Sequence, residues 1–194
     1  MAAFFYISTK IIHMKIIPRT IIALALLSAM AFTVPTANEV CVMASIEHQE
    51  DNGPKVGEKA PEFSAPDEKG KVQTLKKMRG KKVTVIDFWA SWCKPCRYEN
   101  PNMVALNKEF GSKGLKIVGV SLDKDAEKWK EAIKKDALDW KHVSNLKFWN
   151  EPVAGQYSVQ SIPATYILDS KGVIVAKNLR GEDLKAKVRE MLQK

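Results

Sequence analysis

Residues 83–96 read Val-Thr-Val-Ile-Asp-Phe-Trp-Ala-Ser-Trp-Cys-Lys-Pro-Cys. The run from Val83 to Phe88 is β-branched and aromatic apart from one acid, and it predicts a buried central strand. Trp89-Ala90-Ser91-Trp92 leads out of it into a helix expected over roughly 93–110. Two cysteines three residues apart therefore stand where a strand ends and a helix opens. A helix N-terminus presents unpaired N–H groups and a partial positive charge, which favour a thiolate over a thiol. Cys93 is expected to be the exposed nucleophile and Cys96, nearly one turn on, the more buried resolving thiol. Lys94 adds positive charge, and Pro95 fits a first turn because its missing N–H would be unpaired there. Trp92, Lys94 and Pro95 would face a substrate. The implied chemistry is attack by Cys93 on a partner disulfide, then release of the mixed disulfide by Cys96.

Working outward along the helix, Cys96, Glu99, Met103, Leu106 and Phe110 follow steps of three and four and share one stripe. Met, Leu and Phe mark that stripe as the core side, so Glu99 either lies buried one turn from Cys96 or reaches to water at the helix edge. Asp87 alternates with Val83 and Val85 onto one strand face, where burial would raise its pKa and let it move a proton to or from Cys96. The alternative for Asp87 is a bond to a lysine or a backbone group.

The rest of the pattern predicts a strand over 116–122, then a helix capped by Asp125 with Trp129, Ala132 and Ile133 inward. A third core strand is expected at 164–168, turned by Asp169-Ser170-Lys171-Gly172 into a hairpin strand at 173–176. A closing helix over 182–192 carries Leu184, Val188, Met191 and Leu192 on one side. The fold class is α/β, a central mixed sheet with helices on both faces. Chemistry in such sheets gathers at the carboxyl ends of the parallel strands, which is where Cys93 falls.

Ahead of this domain, Ile21 to Val34 is an uncharged apolar run preceded by Lys15 and Arg19 and followed by small residues. That is the pattern of a secretory signal, so residues 1–44 are expected to be a leader, with Met14 a plausible true start. Ala31, Ala37 and Ala44 each suit cleavage, and an uncleaved leader would serve as a membrane tether. Val40 and Asn38 do not fit a lipoprotein signal around Cys41. Residues 45–55 are polar with Gly53-Pro54 and read as a linker, leaving 56–194 as the folded domain.

The formal charge of +9 is no argument for nucleic acid. Lys10, Lys15 and Arg19 belong to the leader, and the other cations are mixed with acids, as over 125–136, without a basic stripe interleaved with aromatics. Three cysteines are too few for a disulfide scaffold. No cofactor is called for, and the chain is expected to be an exported monomer.

The segment Asp87-Phe88-Trp89-Ala90-Ser91-Trp92-Cys93-Lys94-Pro95-Cys96 resembles the active-site stretch of thioredoxins. Pro101 matches the proline that kinks their active-site helix. Pro163, after Ile162, matches their cis-proline, although the residues alone would suggest a trans turn proline. The resemblance is closer to the exported TlpA/ResA branch, through 56–63 (VGEKAPEF), Gly80-Lys81-Lys82 and Asp169-Ser170-Lys171-Gly172. It implies a thioredoxin-like fold and reduction of disulfides in exported proteins, often apocytochrome c, with electrons from a membrane thiol transporter. It also implies that Ile162 and Pro163 shape the partner groove and that Glu99 matches an acid which that branch places three residues after its second cysteine. This chain carries Asp87 as well, so either carboxylate could move the proton.

Two other functions fit parts of the pattern. A thiol peroxidase is suggested because the domain opening also resembles peroxiredoxin-like relatives, but those place a Thr three residues before the reactive Cys, where this chain has Ala90. A periplasmic copper carrier would use Cys93 and Cys96 as soft ligands, and such carriers usually add a distant His. Only His142 lies within the domain.

Overall fold

The computed structural model describes residues 52–193. The expected leader, Cys41 and residues 45–51 of the expected linker lie outside the described residues.

The chain begins with a short antiparallel pair, β1 (Ser64–Pro66) and β2 (Val72–Thr74), followed by a one-turn helix α1 (Leu75–Met78). Thr74 caps α1 by accepting from Lys77 N. Next come β3 (Val83–Trp89), α2 (Lys94–Phe110), β4 (Leu115–Ser121), α3 (Ala126–Lys135) and β5 (Lys141–Val143). The chain closes with α4 (Pro152–Gln156), β6 (Ala164–Leu168), β7 (Ile174–Lys177) and α5 (Gly181–Leu192). The main sheet has the order β5-β4-β3-β6-β7. β3, β4 and β5 run parallel, while β6 and β7 are antiparallel to their neighbours.

β3 lies at the middle of this sheet and is buried at all seven positions. A strand buried on both faces has no polar side to offer, which is why its sequence is a nearly unbroken apolar run. On one face Val83 and Val85, with Ile117 and Ile167, pack against Met103, Leu106 and Phe110 of α2 and Leu184 and Val188 of α5. On the other, Ile86, Phe88, Val118 and Val120 meet Trp129 and Ala132 of α3 together with Phe63, Leu75 and Tyr157. The mixed sheet covered on both faces is the expected fold class.

The long elements fall within a residue of expectation, and the small offsets have local causes. Cys93 caps α2 rather than opening it. β7 starts at Ile174 because Asp169 N donates to Val173 O and closes the turn there. Asp125 caps α3 as expected, accepting from Glu127 N and Lys128 N. Residues 57–60 add to the sheet edge beside β7: Gly57 N donates to Ile174 O at 2.8 Å and Ile174 N to Glu58 O at 2.9 Å.

One close approach explains a glycine. Gly119 of β4 stands opposite His142 of β5, whose ring is flanked by Trp89 and Trp140 at centroid distances of 5.4 and 5.5 Å. A Cβ on Gly119 would lie 2.2 Å from His142 Nδ1. Complete burial pushes the His142 pKa down to about 3, so this imidazole is neutral at physiological pH. Gly119→Ala is expected to cost about 1–3 kcal/mol in urea unfolding, and a large part should return in the Gly119→Ala/His142→Ala pair. Strictly additive losses would show that the ring and the glycine are not in conflict.

Candidate active site

β3 delivers its last residue, Trp89, to the carboxyl edge of the sheet, and the chain turns through 90–92 into α2. Cys93 N donates to Ala90 O at 3.1 Å, which closes that turn. Cys93 is the N-cap of α2, and its Sγ accepts from Cys96 N at 3.2 Å. A sulfur doing the work usually done by a Ser or Asp oxygen receives the unpaired first-turn N–H and the positive end of the helix together. Cys93 and Cys96 are joined in a disulfide, with Cα atoms 5.3 Å apart. Lys94 and Pro95 form the exposed first turn, where proline is tolerated. Pro101 lies inside α2 as expected.

The burial of the pair corrects one expectation. Cys93 is only 4% exposed, against 1% for Cys96, so the outer sulfur is outer by a small margin. The reason is the loop opposite: Cys93 Sγ lies 3.7 Å from Ile162 O, and Ile162 is half-buried beside a buried Pro163. In the reduced enzyme that carbonyl can accept from the Cys93 thiol. The Ile162–Pro163 peptide is cis, as the resemblance implied and the residues alone did not. Trp92 is 44% exposed, and its ring packs against Phe148 at 5.0 Å.

The two carboxylates behave differently. Asp87 is buried on the face shared with Val83 and Val85, and its pKa is pushed up to about 7. Burial is the main cause, the negative charge of Glu99 adds to it, and Arg180 opposes it. Its charged neighbours are thus an acid and an arginine, not the lysine considered as an alternative. Glu99 is half-buried. Its Oε1 accepts from Gly181 N at 2.7 Å, which opens α5, and its Oε2 accepts from Asn102 Nδ2 at 3.0 Å. Arg180 caps α5 without a side-chain bond to the helix, so the acid of α2 fills that place across the interface. Of the two sequence alternatives for Glu99, deep burial is corrected: the side chain is half-buried at the helix edge, where it also closes the start of α5.

Five residues around the site escaped sequence reasoning. Arg180 Nη2 donates to Pro163 O at 2.5 Å, tying the proline loop to the start of α5. Buried Asp123 accepts from Ser91 N at 2.9 Å and Ser91 Oγ at 2.6 Å, fixing the turn that precedes Cys93. Arg97 donates to Ser91 O at 3.0 Å and pairs with Asp136, which also accepts from buried Asn100 at 2.6 Å. Apart from Arg97 and Ser91, which are six residues apart, these partners are separated by 17 to 39 residues, so helix and strand periodicity carried no sign of them. Asn100 was signalled weakly, as a polar residue beside the apolar stripe of α2.

Among the described residues, no group of three or more His, Cys, Asp or Glu is arranged to hold a metal ion. His142 is buried in β5, with Nε2 3.3 Å from Leu138 O.

A strand leading into a helix capped by the first cysteine of a disulfide-bonded Cys-x-x-Cys pair is the arrangement of a thioredoxin-like thiol–disulfide oxidoreductase. The chain belongs to the AhpC/TSA family, whose model matches residues 56–177. It is 32% identical over 188 residues to the thiol-disulfide oxidoreductase ResA of Bacillus cereus, covering 93% of this chain and 96% of that one. It is 39% identical over 122 residues to the thioredoxin-like protein YneN of Bacillus subtilis, covering 63% and 70% of the two chains. Among solved structures, the thioredoxin domain of a thiol-disulfide oxidoreductase from Bacteroides vulgatus matches with a TM-score of 0.66 at 34% identity, over 72% of this chain and 99% of that one. The chain is accordingly an enzyme of the thiol–disulfide oxidoreductase type.

The raised pKa of Asp87 has a signed consequence for stability. The folded protein holds this proton up to about pH 7, whereas the unfolded chain releases it near 3.8, so its contribution to stability falls as pH rises through that window. Asp87→Asn should therefore leave stability near pH 4 little changed and raise it above pH 7, by on the order of 3 to 4 kcal/mol. Urea midpoints of both proteins at pH 4 and pH 8 check this. Buried His142 acts in the opposite sense and cancels in the comparison. Equal differences at the two pH values would mean that Asp87 is ionised throughout.

Proposed function

We propose that this enzyme is a reductant of disulfides in exported proteins, with apocytochrome c a candidate target. The observation that carries the exchange chemistry in this reading is the cap of α2, where the Cys96 amide points at Cys93 Sγ. The direction of electron flow rests on the resemblance to ResA. In the dithiol state Cys93 attacks as a thiolate, forming a mixed disulfide and breaking the target's own S–S bond. The displaced target sulfur leaves as a thiolate and takes up a proton. Cys96 then loses its proton to the Asp87 carboxylate and attacks Cys93 Sγ, and the second target sulfur departs and is protonated in turn. Two electrons pass to the target and the Cys93–Cys96 disulfide remains. A membrane thiol transporter returns two electrons by the reverse exchange. Glu99 supports this step by setting the charge around Asp87 and by holding α5 against α2.

The sequence pattern supports the cellular setting. Residues 1–44 act as the export leader, either cleaved or kept as a tether, 45–55 as a linker, and 56–194 as the catalytic domain, working as a monomer in the periplasm or an equivalent extracytoplasmic space. Among the described residues no helix is long and apolar enough to cross a membrane. The similarity to ResA, a named thiol-disulfide oxidoreductase, supports the same class of exchange.

Insulin reduction with a dithiol donor tests the assignment. Cys93→Ser should abolish turnover with the fold intact, and Cys96→Ser should accumulate mixed disulfides. Trapping by Cys93→Ser instead would exchange the two roles. The direction follows from equilibration with glutathione: a potential near −270 mV fits a reductant, and one near −120 mV would overturn that direction. Asp87→Asn should abolish a rate inflection near pH 7 in the resolving step, and an unchanged profile would remove Asp87 from the proton transfer.

A further inference from the structure

Six large apolar side chains are well exposed among the described residues, and three of them meet at one place. Trp92, Phe148 and Trp149 are 44%, 38% and 41% exposed. Their ring centroids are 5.0 Å apart for Trp92–Phe148 and 6.1 Å for each of the other two pairs. Trp92 is covalently adjacent to Cys93, so the cluster borders the disulfide. Single exposed apolar residues need no explanation, but a contiguous aromatic group beside a reactive sulfur does.

The backbone beneath the rings is held in place. Phe148 has φ of 54°, a conformation that a bulky L residue adopts only when its surroundings impose it. Those surroundings are visible. Phe148 N donates to the carbonyl of Asp123, the same residue whose side chain fixes Ser91. Buried Glu151 accepts from Asn145 N and Asn145 Nδ2 at 2.8 and 2.7 Å. Ser144 Oγ donates to Ser121 O at 2.8 Å, anchoring the loop to β4. Buried acids are thus consumed in holding the loop, while the rings are turned outward.

The charges next to the cluster give the occupant its sign. Lys94, Lys124 and Lys147 are exposed, and each directly adjoins Cys93, Asp123 or Phe148 in the chain. Asp123 is buried and Asp125 is engaged as the α3 cap, accepting from Glu127 N and Lys128 N. Exposed Glu131 lines a groove with Trp92 that it shares with the cations Lys128 and Lys135, so the balance stays positive.

We propose that Trp92, Phe148 and Trp149 form an aromatic lip for an extended segment of the target polypeptide, taking a bulky apolar or aromatic side chain next to the target cysteine, with acidic residues flanking it toward the lysines. This rests on the protein-disulfide reductase reading and adds to it what the enzyme selects. Aromatic side chains supply contact area at low entropic cost, so a rigid three-ring surface gains affinity for such a residue without rearranging.

The test uses mixed-disulfide peptides of one length, with Phe or Gly beside the cysteine and with acidic or neutral flanks, alongside a small aromatic disulfide reagent that is too short to reach Phe148 and Trp149. The parent enzyme should prefer the Phe, acidic peptide by roughly tenfold in kcat/KM, mostly through KM. Phe148→Ala and Trp149→Ala should reduce that preference to near unity while leaving the rate with the small reagent unchanged. Trp149→Phe should restore most of it, which a merely structural role would not produce. Equal rates with all peptides in the parent would overturn the lip and leave the reductase standing. Failure to reduce any disulfide would overturn both. If sedimentation showed instead a dimer of this chain that Trp149→Ala dissolves, a second copy would be the occupant and the proposal would fall.

Discussion

The amide of Cys96 reaches back to the sulfur of Cys93, and the rest of the molecule can be understood as a means of keeping that contact in place. A helix offers its unpaired N–H groups at a point only if the first residue is fixed, and a surface helix start frays. Here the start is fixed from three sides. β3 is clamped between β4 and β6 and feeds the turn, Asp123 and Arg97 hold Ser91, and the carbonyl of Ile162 faces the sulfur. The same arrangement hides Cys93 more than its role suggests.

The second constraint is electrostatic. An acid in the middle of a buried sheet is costly when ionised, and Asp87 meets that cost by holding its proton to about pH 7. Glu99 pushes in the same direction from α2, and Arg180 pulls the other way from the start of α5. The three charges arrive on different elements and come together because Glu99 closes the N-terminus of α5, while Arg180 reaches the Pro163 carbonyl. The group suited to exchange a proton near neutrality is therefore linked electrostatically, through Arg180, to the loop that faces Cys93. Destabilisation at Asp87 is a property of the reactive region that the apolar layers of the two core faces offset.

How much of this the sequence disclosed depends on range. β3, α2, β4, α3, β6 and α5 were legible because each is long enough to display its period or is an unbroken apolar run, and the Cys pair was legible because its chemistry is local. β1, β2, β5 and the short helices α1 and α4 were not, since three to five residues cannot display a helical or strand period. The burial and raised pKa of Asp87 were read correctly from alternation alone. The capping role of Glu99 was missed because its partner, Gly181 N, lies 82 residues away and was itself expected just outside the helix. Ser91, Asp123, Arg97 and Asp136 show the same limit: each looks like ordinary surface chemistry until the fold brings them under one turn.

Membership of the AhpC/TSA family fixes the scaffold without fixing the reaction, because function resides in the residues placed on a fold. What separates exchange from other uses of a helix-start cysteine is the identity of its immediate neighbours. Position 90, where the peroxidase pattern places a threonine, holds buried Ala90, which gives its carbonyl to Cys93 N. The sulfur's nearest companion is Cys96, already bonded to it, rather than a hydroxyl able to orient a peroxide. Buried His142 is neutral and set among tryptophans, where its ring serves the packing of β4 against β5. A cap that favours thiolate, a second thiol one turn away and a buried acid titrating near neutrality are together the requirements of two successive exchange steps. The second thiol and the buried acid would be superfluous if the outer cysteine had only to be oxidised once, whereas the thiolate-favouring cap serves either chemistry.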